Sequence, residues 1–144
     1  MTKLPVVESY GKYDCIMLTG GEPMIRPDVV MQTIADIRKE TDAPIYIYTA
    51  KVDGERTIDI LRSADGFTVT LHDQADVLPF LMFNQARSWM NIKGKSLRLN
   101  IFEGVDGFNE YFIEAEGWKI KKGMKWIRNC PIPQDEEFMR LRKP

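Results

Sequence analysis

The segment Thr19-Gly20-Gly21-Glu22-Pro23 contains the residue types best suited to chemistry in this sequence. Two adjacent glycines permit a positive φ and let the backbone approach a ligand closely. Glu22 adds a carboxylate beside main-chain carbonyl groups, which suits the binding of an ammonium group. A tight loop with a solvated glutamate is the alternative, because Gly-Gly turns after strands are common. The segment therefore predicts either a site for a small amine or an ordinary turn.

The elements around this segment place it at a typical ligand position. An apolar run over residues 13–18 precedes it and is typical of a buried parallel strand. Pro27, which suits the first turn of a helix, follows it. Ligand sites of α/β sheets form at the carboxyl ends of strands, and this loop comes directly after such an end.

The alternation of strands and helices continues to about residue 103 and predicts an α/β fold. Further strands are predicted over residues 45–49, 67–71 and 97–101. Asp76 is placed to cap the helix before the last of these strands. Apolar positions at helical spacing mark three helix faces: Val30, Ile34 and Ile37; Ile58, Leu61 and Ala64; Leu78, Met82, Ala86 and Trp89. Three consecutive strand–helix–strand units indicate a parallel sheet with right-handed crossovers.

The pattern changes after Glu103. Glycine residues separate two short strand-like pieces, Tyr111-Phe112-Ile113 and residues 118–127, and a capped short helix is indicated near the end of the chain. Residues 104–144 are therefore predicted as a β-rich, hairpin-like extension with a short terminal helix. We expect this extension to pack on the single domain that residues 1–103 form.

Residues 118–128 interleave five basic groups with Trp118 and Trp126. Such a surface suits phosphates and stacked bases, or a protein partner that contacts the tryptophans. A solvated hairpin with its tryptophans packed inward is the favoured alternative. Acidic residues at 135–137 cancel much of the local positive charge, so the sequence gives little support to nucleic-acid binding.

Composition limits the classes of protein to which the chain can belong. The sequence has 144 residues, of which 44% are hydrophobic and 28% charged, as expected for one globular domain. Lys and Arg number 20 against 21 for Asp and Glu, so no overall positive charge attracts nucleic acid. The sequence contains no apolar run of membrane-spanning length, and its N-terminus lacks the apolar core of a secretion signal. These features predict a cytoplasmic protein that does not enter a membrane.

Residues 13–24, with the sequence Tyr-Asp-Cys-Ile-Met-Leu-Thr-Gly-Gly-Glu-Pro-Met, resemble the second strand and GGE loop of radical S-adenosylmethionine (SAM) enzymes. In that family the fold is a partial (βα)₆ barrel, and the GGE loop binds the amino group of the methionine part of SAM. The resemblance implies that Gly20, Gly21 and Glu22 bind SAM as a cofactor. It also implies that residues 13–103 form an incomplete (βα) barrel corresponding to the second through fifth strands of the family.

Three later residues extend the SAM site that the resemblance implies. Thr70 and His72 end a strand where the family often places polar residues that touch the SAM ribose. Asn100, together with Glu103, closes the next strand near the expected wall of the pocket. The alternatives are a surface or satisfied loop histidine for His72 and a polar residue of the barrel interior for Asn100. Tyr46 and Tyr48, on the strand between, are interpreted as packing residues.

The cysteine content conflicts with the chemistry of this family. Its CxxxCxxC motif lies before the GGE loop and supplies three thiolates to a [4Fe–4S] cluster. This sequence has only Cys15 and Cys130, together with the single histidine His72, which also excludes a disulfide framework and a self-contained Cys₃ or Cys₄ site. Cys15 is expected to be a small buried residue within the first predicted strand. We therefore expect no [4Fe–4S] cluster and no metal site on this chain alone.

These observations leave two functional hypotheses. The first is a split or degenerate relative of radical SAM enzymes, which retains a SAM site but does not catalyse alone. The alternative is a non-catalytic interaction or inhibitor protein built on the same scaffold. An unrelated nucleotide-binding module is disfavoured, because neither GxxxxGK[ST] nor GxGxxG occurs.

The resemblance also predicts a partner. Without a preceding strand–helix unit, Ile16, Met17 and Leu18 lie in an edge strand, which proteins normally cover. Residues 4–7 offer a short substitute strand, although Pro5 restricts it to an edge position. Otherwise we expect another protein or a second copy of the chain to cover this edge.

Overall fold

The computed structural model describes residues 9–19, 23–52 and 56–124, which form an α/β fold around one parallel sheet. All four pairs of neighbouring strands are parallel, and their order in the sheet is their order in the sequence. The strands are β1 (Ile16–Leu18), β2 (Ile45–Thr49), β3 (Gly66–Leu71), β4 (Ser96–Phe102) and β5 (Trp118–Met124). The prediction of an α/β fold with a parallel sheet is thus confirmed.

A helix joins each strand to the next. The helices are α1 (Pro27–Glu40), α2 (Thr57–Ser63), α3 (Val77–Trp89) and α4 (Glu110–Ala115). Every crossover advances by one strand in the same direction, so right-handed connections place all four helices on one face of the sheet. In agreement, α1 contacts α2 and α2 contacts α3.

The core lies between this helical layer and the sheet. Strand register aligns Ile47, Phe67, Leu97 and Trp118 in one row, and all four side chains are buried. From the helical side, the predicted α1 face packs against the sheet, since Val30, Ile34 and Ile37 are buried. Pro27 occupies the first position of α1, as expected from its fixed φ.

The opposite face of the sheet is polar. Because side chains alternate along a strand, the residues between the core positions point away from the helices. In β4, exposed Arg98 and half-buried Asn100 alternate with buried Leu97, Leu99 and Ile101. We call this surface the polar face, and it carries Tyr46, Tyr48, Thr68, Thr70, Arg98, Asn100, Lys119 and Lys121.

The prediction for the apolar face of α3 was incomplete. Leu78, Met82 and Trp89 are exposed rather than packed on the sheet. The buried side of α3 is instead formed by Val77, Phe80, Phe83, Asn84 and Arg87. Apolar residues occupy both sides of this helix, so the 3.6-residue period does not by itself select the side that faces the core.

The hairpin predicted after residue 103 is wrong in the part of the chain that the structure describes. Tyr111, Phe112 and Ile113 lie in α4, whose first turn is capped by Asn109 Oδ1, which accepts a hydrogen bond of 3.1 Å from the Phe112 N–H. β5 then runs parallel to β4 and belongs to the same sheet. α4 lies between β4 and β5 and carries the chain back, so that the two strands run in the same direction. Two parallel strands cannot form a hairpin. The terminal helix predicted near residues 134–137 lies outside the described residues.

The basic segment is divided between the core and the surface. Trp118 is buried, and its ring meets Phe80 edge-on at 4.9 Å between centroids. It is therefore not available to stack on bases or to contact a partner. Lys119, Lys121 and Lys122 are exposed along β5. The predicted role of Trp126 falls outside the described residues.

Two further predictions need correction. Cys15 is exposed and precedes β1, because the strand begins only at Ile16. Asp76 is the residue before α3, but its carboxylate accepts from the His72 and Asp73 N–H groups rather than from the helix.

Among the described residues, β1 has β2 as its one strand neighbour and is an edge of the sheet. The substitute strand predicted over residues 4–7 lies outside the described part. No helix in residues 9–19, 23–52 and 56–124 combines the length and apolar character needed to cross a membrane.

Candidate functional site

Thr70 and Asn100 lie near the carboxyl ends of β3 and β4, and His72 directly follows β3. Gly20, Gly21 and Glu22 themselves lie outside the described residues, but both ends of their loop are placed. Thr19 is exposed directly after β1, and Pro23 begins a 3₁₀ turn that leads into α1. The loop therefore leaves the sheet at the edge where parallel α/β proteins bind ligands.

Thr70 and Asn100 are brought together by the strand register. They are direct partners in the β3–β4 pair, so their backbones lie about 5 Å apart. Both are half-buried members of the polar face. One hydroxyl and one amide thus stand side by side near the carboxyl ends of two adjacent strands.

His72 lies on the same side, one residue beyond the end of β3. Its ring is 4.7 Å from that of Phe102, with the planes inclined at 56°. The backbone N–H of His72 donates a hydrogen bond of 2.8 Å to Asp76 Oδ2, which fixes the backbone directly after β3. His72 is half-buried and is therefore held against the end of β4 rather than extended into solvent.

The turn after His72 is tied to the loop after β4. Asp73 and Asp76 form a reciprocal capping box around the 3₁₀ turn Gln74–Asp76. The Gln74 amide donates to the Asp106 carbonyl at 2.6 Å and accepts from the Asp106 N–H at 3.0 Å. These two bonds join neighbouring loops, so this part of the carboxyl edge is held in place by side chains.

The sheet order sets the spacing between the two groups of candidates. One strand, β2, separates β1 from β3, so across the sheet β1 lies about 10 Å from β3 and about 14 Å from β4. Thr70 and Asn100 are therefore adjacent, and Thr19, directly after β1, lies further along the same edge of the sheet.

The structure adds polar-face residues that the sequence interpretation did not include. Tyr48, Thr68, Arg98 and Lys119 are register partners in one row across four strands. Lys121 is the next neighbour of Asn100 on β5. The strict alternation of β4 and β5 is the signal that would have found Arg98 and the two lysines. Tyr46 and Tyr48 lie on this face and not in the core.

The electrostatic character of the polar face is basic. Arg98, Lys119 and Lys121 are exposed, and β1 to β5 contribute no acidic side chain to it. Among the described residues, no group of three or more His, Cys, Asp or Glu side chains is arranged to hold a metal ion. The face is thus suited to an anionic group such as a carboxylate.

A shallow depression of about 550 Å³ occurs in the loop after β4 and the start of α4. It is lined by residues 107–111 and contains none of Thr70, His72 or Asn100. Thr70, His72 and Asn100 therefore lie outside this depression.

No family model, no curated protein and no solved structure matches this chain. The functional interpretation therefore rests on the residues themselves and on the arrangement described above.

Proposed function

We propose that this chain is a radical-SAM-like domain that binds SAM at the carboxyl edge of its sheet and does not catalyse alone. Gly20, Gly21 and Glu22 bind the amino group of SAM, and Thr70, His72 and Asn100 bind its nucleoside end. The sheet is an incomplete (βα) barrel whose polar face is the inner surface.

One observation carries this proposal, namely the side-by-side placement of Thr70 and Asn100 in the strand register. His72 is held next to them against Phe102. Three residues selected from the ends of two strands thus share one edge with Thr19, which directly follows β1. The sequential strand order also supports a barrel, because doubly wound sheets reverse direction at a switch point whereas barrels do not.

The donor set fits the chemistry of SAM. Its amino group requires acceptors, which a carboxylate and loop carbonyls provide, while ribose hydroxyls require a partner that both donates and accepts. Thr70 has a hydroxyl and Asn100 a side-chain amide, and each of these groups does both. β1 and β4 are about 14 Å apart across the sheet, and this separation suits a molecule with an amino-acid end and a nucleoside end.

The limit on catalysis follows from the cysteine count. In radical SAM chemistry a reduced [4Fe–4S] cluster supplies the electron that cleaves bound SAM. Three thiolates are required to hold that cluster, and this chain has two cysteines. Cys15 is also exposed and precedes β1. It therefore lies at the amino end of that strand, whereas Thr70 and Asn100 lie near the carboxyl ends of theirs. The chain accordingly binds and orients SAM, and a cluster-bearing partner performs the cleavage.

A second candidate is a non-catalytic interaction or inhibitor protein on the same scaffold. The exposed apolar residues of α3 favour it, because such a surface is typical of protein contacts. In that case the polar face retains its shape but has lost its ligand.

Calorimetric titration of the full chain with SAM tests the proposal. We expect measurable binding, and we expect Glu22→Gln to weaken it about 10- to 100-fold, since a charge-assisted hydrogen bond contributes about 1.5–3 kcal/mol. Asn100→Ala should weaken binding less, by roughly tenfold, because a neutral hydrogen bond is lost.

Matched controls separate site effects from general effects. Glu114→Gln makes the same chemical change as Glu22→Gln at an exposed position of α4, and Gln85→Ala removes a side-chain amide from an exposed position of α3. Both should leave the SAM affinity unchanged. Absence of heat at millimolar SAM with a folded chain would contradict the proposal and favour the interaction protein. Anaerobic reconstitution with iron and sulfide tests the proposal that the chain does not catalyse alone. A stoichiometric [4Fe–4S] cluster on the chain alone would overturn that proposal.

A further inference from the structure

The outer surface of α3 is largely apolar, although Gln85 and Ser88 are also exposed on it. Leu78, Met82 and Trp89 are 65%, 62% and 81% exposed, respectively. Their spacing of four and seven residues places them in one stripe, opposite the buried side that includes Phe80. An exposed tryptophan and two exposed aliphatic side chains on one helix face are costly to leave in water.

The outer side of α3 carries no charged residue, although the outer side of a surface helix normally does. The one charged residue of α3 is Arg87, and it is buried. Its guanidinium donates to Asn84 Oδ1 and to Glu116 Oε2 at 3.0 and 3.2 Å. A helix that is apolar on its outer side as well as on its inner side is normally covered on both.

The stripe continues onto α4 across a shallow groove. This groove has a volume of about 340 Å³, and its apolar walls are Leu81 and Trp89 from α3 and Phe112 from α4. Phe112 is itself more than half exposed. We call the combined surface the α3–α4 patch, and it consists of Leu78, Leu81, Met82, Trp89, Met90 and Phe112.

The size of the α3–α4 patch matches one side of a protein interface. Five of its six side chains are 47–81% exposed, so together they expose on the order of 600 Å², as much as the largest apolar patches of typical monomers, which are about 300–600 Å². Each partner in a specific complex contributes about 600–1,000 Å². The patch is therefore large enough to support a stable complex.

We propose that the α3–α4 patch is the interface with a second copy of this chain, with α3 packed against α3 about a two-fold axis. In an isologous interface both copies use the same surface, so a charge near the two-fold axis faces its own like-charged equivalent. The stripe avoids this repulsion, since its members are uncharged. Glu116, which lines the groove, is already paired with Arg87 within the chain.

This surface differs from the edge of β1, which the sequence interpretation expected to be covered. α3 lies over the middle of the sheet, between β3 and β4, whereas β1 is at one side. Dimerisation through α3 leaves the carboxyl edge with Thr70 and Asn100 accessible. The inference is therefore independent of the proposed SAM site.

Sedimentation equilibrium of the full chain from about 1 to 100 μM tests the inference. We expect a dimer whose dissociation constant rises at least tenfold in Met82→Lys and in Trp89→Lys. Ala35→Lys adds the same charge to the exposed side of α1 and should leave the dissociation constant unchanged. Met82→Leu should retain the dimer, because it keeps the apolar surface.

Circular dichroism of each variant establishes that the chain is folded. A wild-type chain that stays monomeric at about 100 μM would overturn the inference, as would full coverage of the patch by another segment of the same chain. A dimer that persists unchanged in both lysine variants would overturn it too, because the contact would then lie elsewhere, for example at the β1 edge. These results are distinguishable from failure of SAM binding, which is measured separately.

Discussion

α1 and α3 perform the same task in the fold but present different surfaces to the outside. Each is a helix of similar length, 14 and 13 residues, that connects neighbouring parallel strands and buries one side against the sheet. The outer side of α1 carries Asp28, Gln32 and Lys39, whereas that of α3 carries Leu78, Met82 and Trp89. The inner sides are thus equivalent, and the difference is confined to the outside.

This difference separates two requirements on a helix sequence. The inner side must fill the space over the sheet, and both helices satisfy that need with buried apolar residues. The outer side must match its surroundings, which are either water or a protein partner. The charged groups on the outer side of α1 are suited to water. The outer side of α3 is not, so we attribute its composition to association and not to folding.

The largest effects should come from the inner sides, where the two helices are expected to behave alike. Phe80 and Ile37 are both fully buried, so Phe80→Ala should lower the free energy of unfolding by about 3–5 kcal/mol and Ile37→Ala by about 2–5 kcal/mol. Urea denaturation followed by circular dichroism measures both. A loss below about 1 kcal/mol for Phe80→Ala would show that α3 is not anchored by this side.

An intermediate effect is expected at a buried polar group that α3 has on its inner side. Asn84 Oδ1 accepts from Trp118 Nε1 at 2.8 Å and from Arg87 Nε and Nη2 at 3.1 and 3.0 Å. Asn84→Ala leaves these buried donors without their acceptor, which should cost about 1–3 kcal/mol. The same denaturation experiment on Gln85→Ala, the exposed neighbour, should show a change within about 0.5 kcal/mol. Equal losses in the two variants would contradict the network.

The smallest effect should come from the ion pair at the end of α1. Burial raises the pKa of Asp65, but the hydrogen bonds from the Arg38 side chain and the Ile45 N–H, together with the charges of Arg38 and Lys95, bring the pKa below its usual 3.8. Arg38 Nη2 lies 2.7 Å from Asp65 Oδ2, and both side chains are partly exposed. Asp65→Asn should therefore cost only about 1 kcal/mol at neutral pH.

The pH dependence of that cost has a definite sign. Because the pKa of Asp65 is lower in the folded state, its carboxylate stabilises the fold above pH 3.8, and this contribution disappears as the pH falls through the folded pKa. Thermal unfolding of wild type and Asp65→Asn across this range should show the two stabilities converging in acid. A difference that grew in acid would contradict the assignment of the ion pair.

The sequence predicted the sheet well because its strands are short apolar runs bounded by clear breaks. β2, β3 and β4 lie within one residue of the predicted ranges, and α1 begins at Pro27 as expected. These elements depend on local patterns, namely alternation, helical period and proline at a helix start.

The errors occurred where local preference and packing disagree. Tyr111, Phe112 and Ile113 have high β propensity, yet the Asn109 cap and the burial of Ile113 place them in a helix. For α3, the chosen stripe was a true helical face but not the buried one. Cys15 was expected inside the first strand, but that strand begins at Ile16, one residue after Cys15.

For the candidate site, too, local sequence patterns selected the residues, whereas strand register decided which of them are neighbours. Thr70, His72 and Asn100 were selected from the ends of their strands, and the loop after β1 from its glycines and Glu22. Whether Thr70 and Asn100 are neighbours depends on the register of β3 against β4, which the sequence pattern does not set. Alternation in β4 and β5 indicates that Arg98, Lys119 and Lys121 share a face, but their places beside Thr68 and Asn100 depend on the strand register.

The amino-acid sequence by itself determined an alternating α/β chain, the segment Gly20-Gly21-Glu22 after the first predicted strand, and a content of two cysteines. These follow from composition and short-range periodicity. Tertiary structure alone decided which side of α3 is buried, that β5 is parallel to β4, and that Thr70 and Asn100 are neighbours. Each of these depends on contacts between distant segments, because an apolar residue has no preference between the core and a partner until the packing of the rest of the chain has assigned it a side.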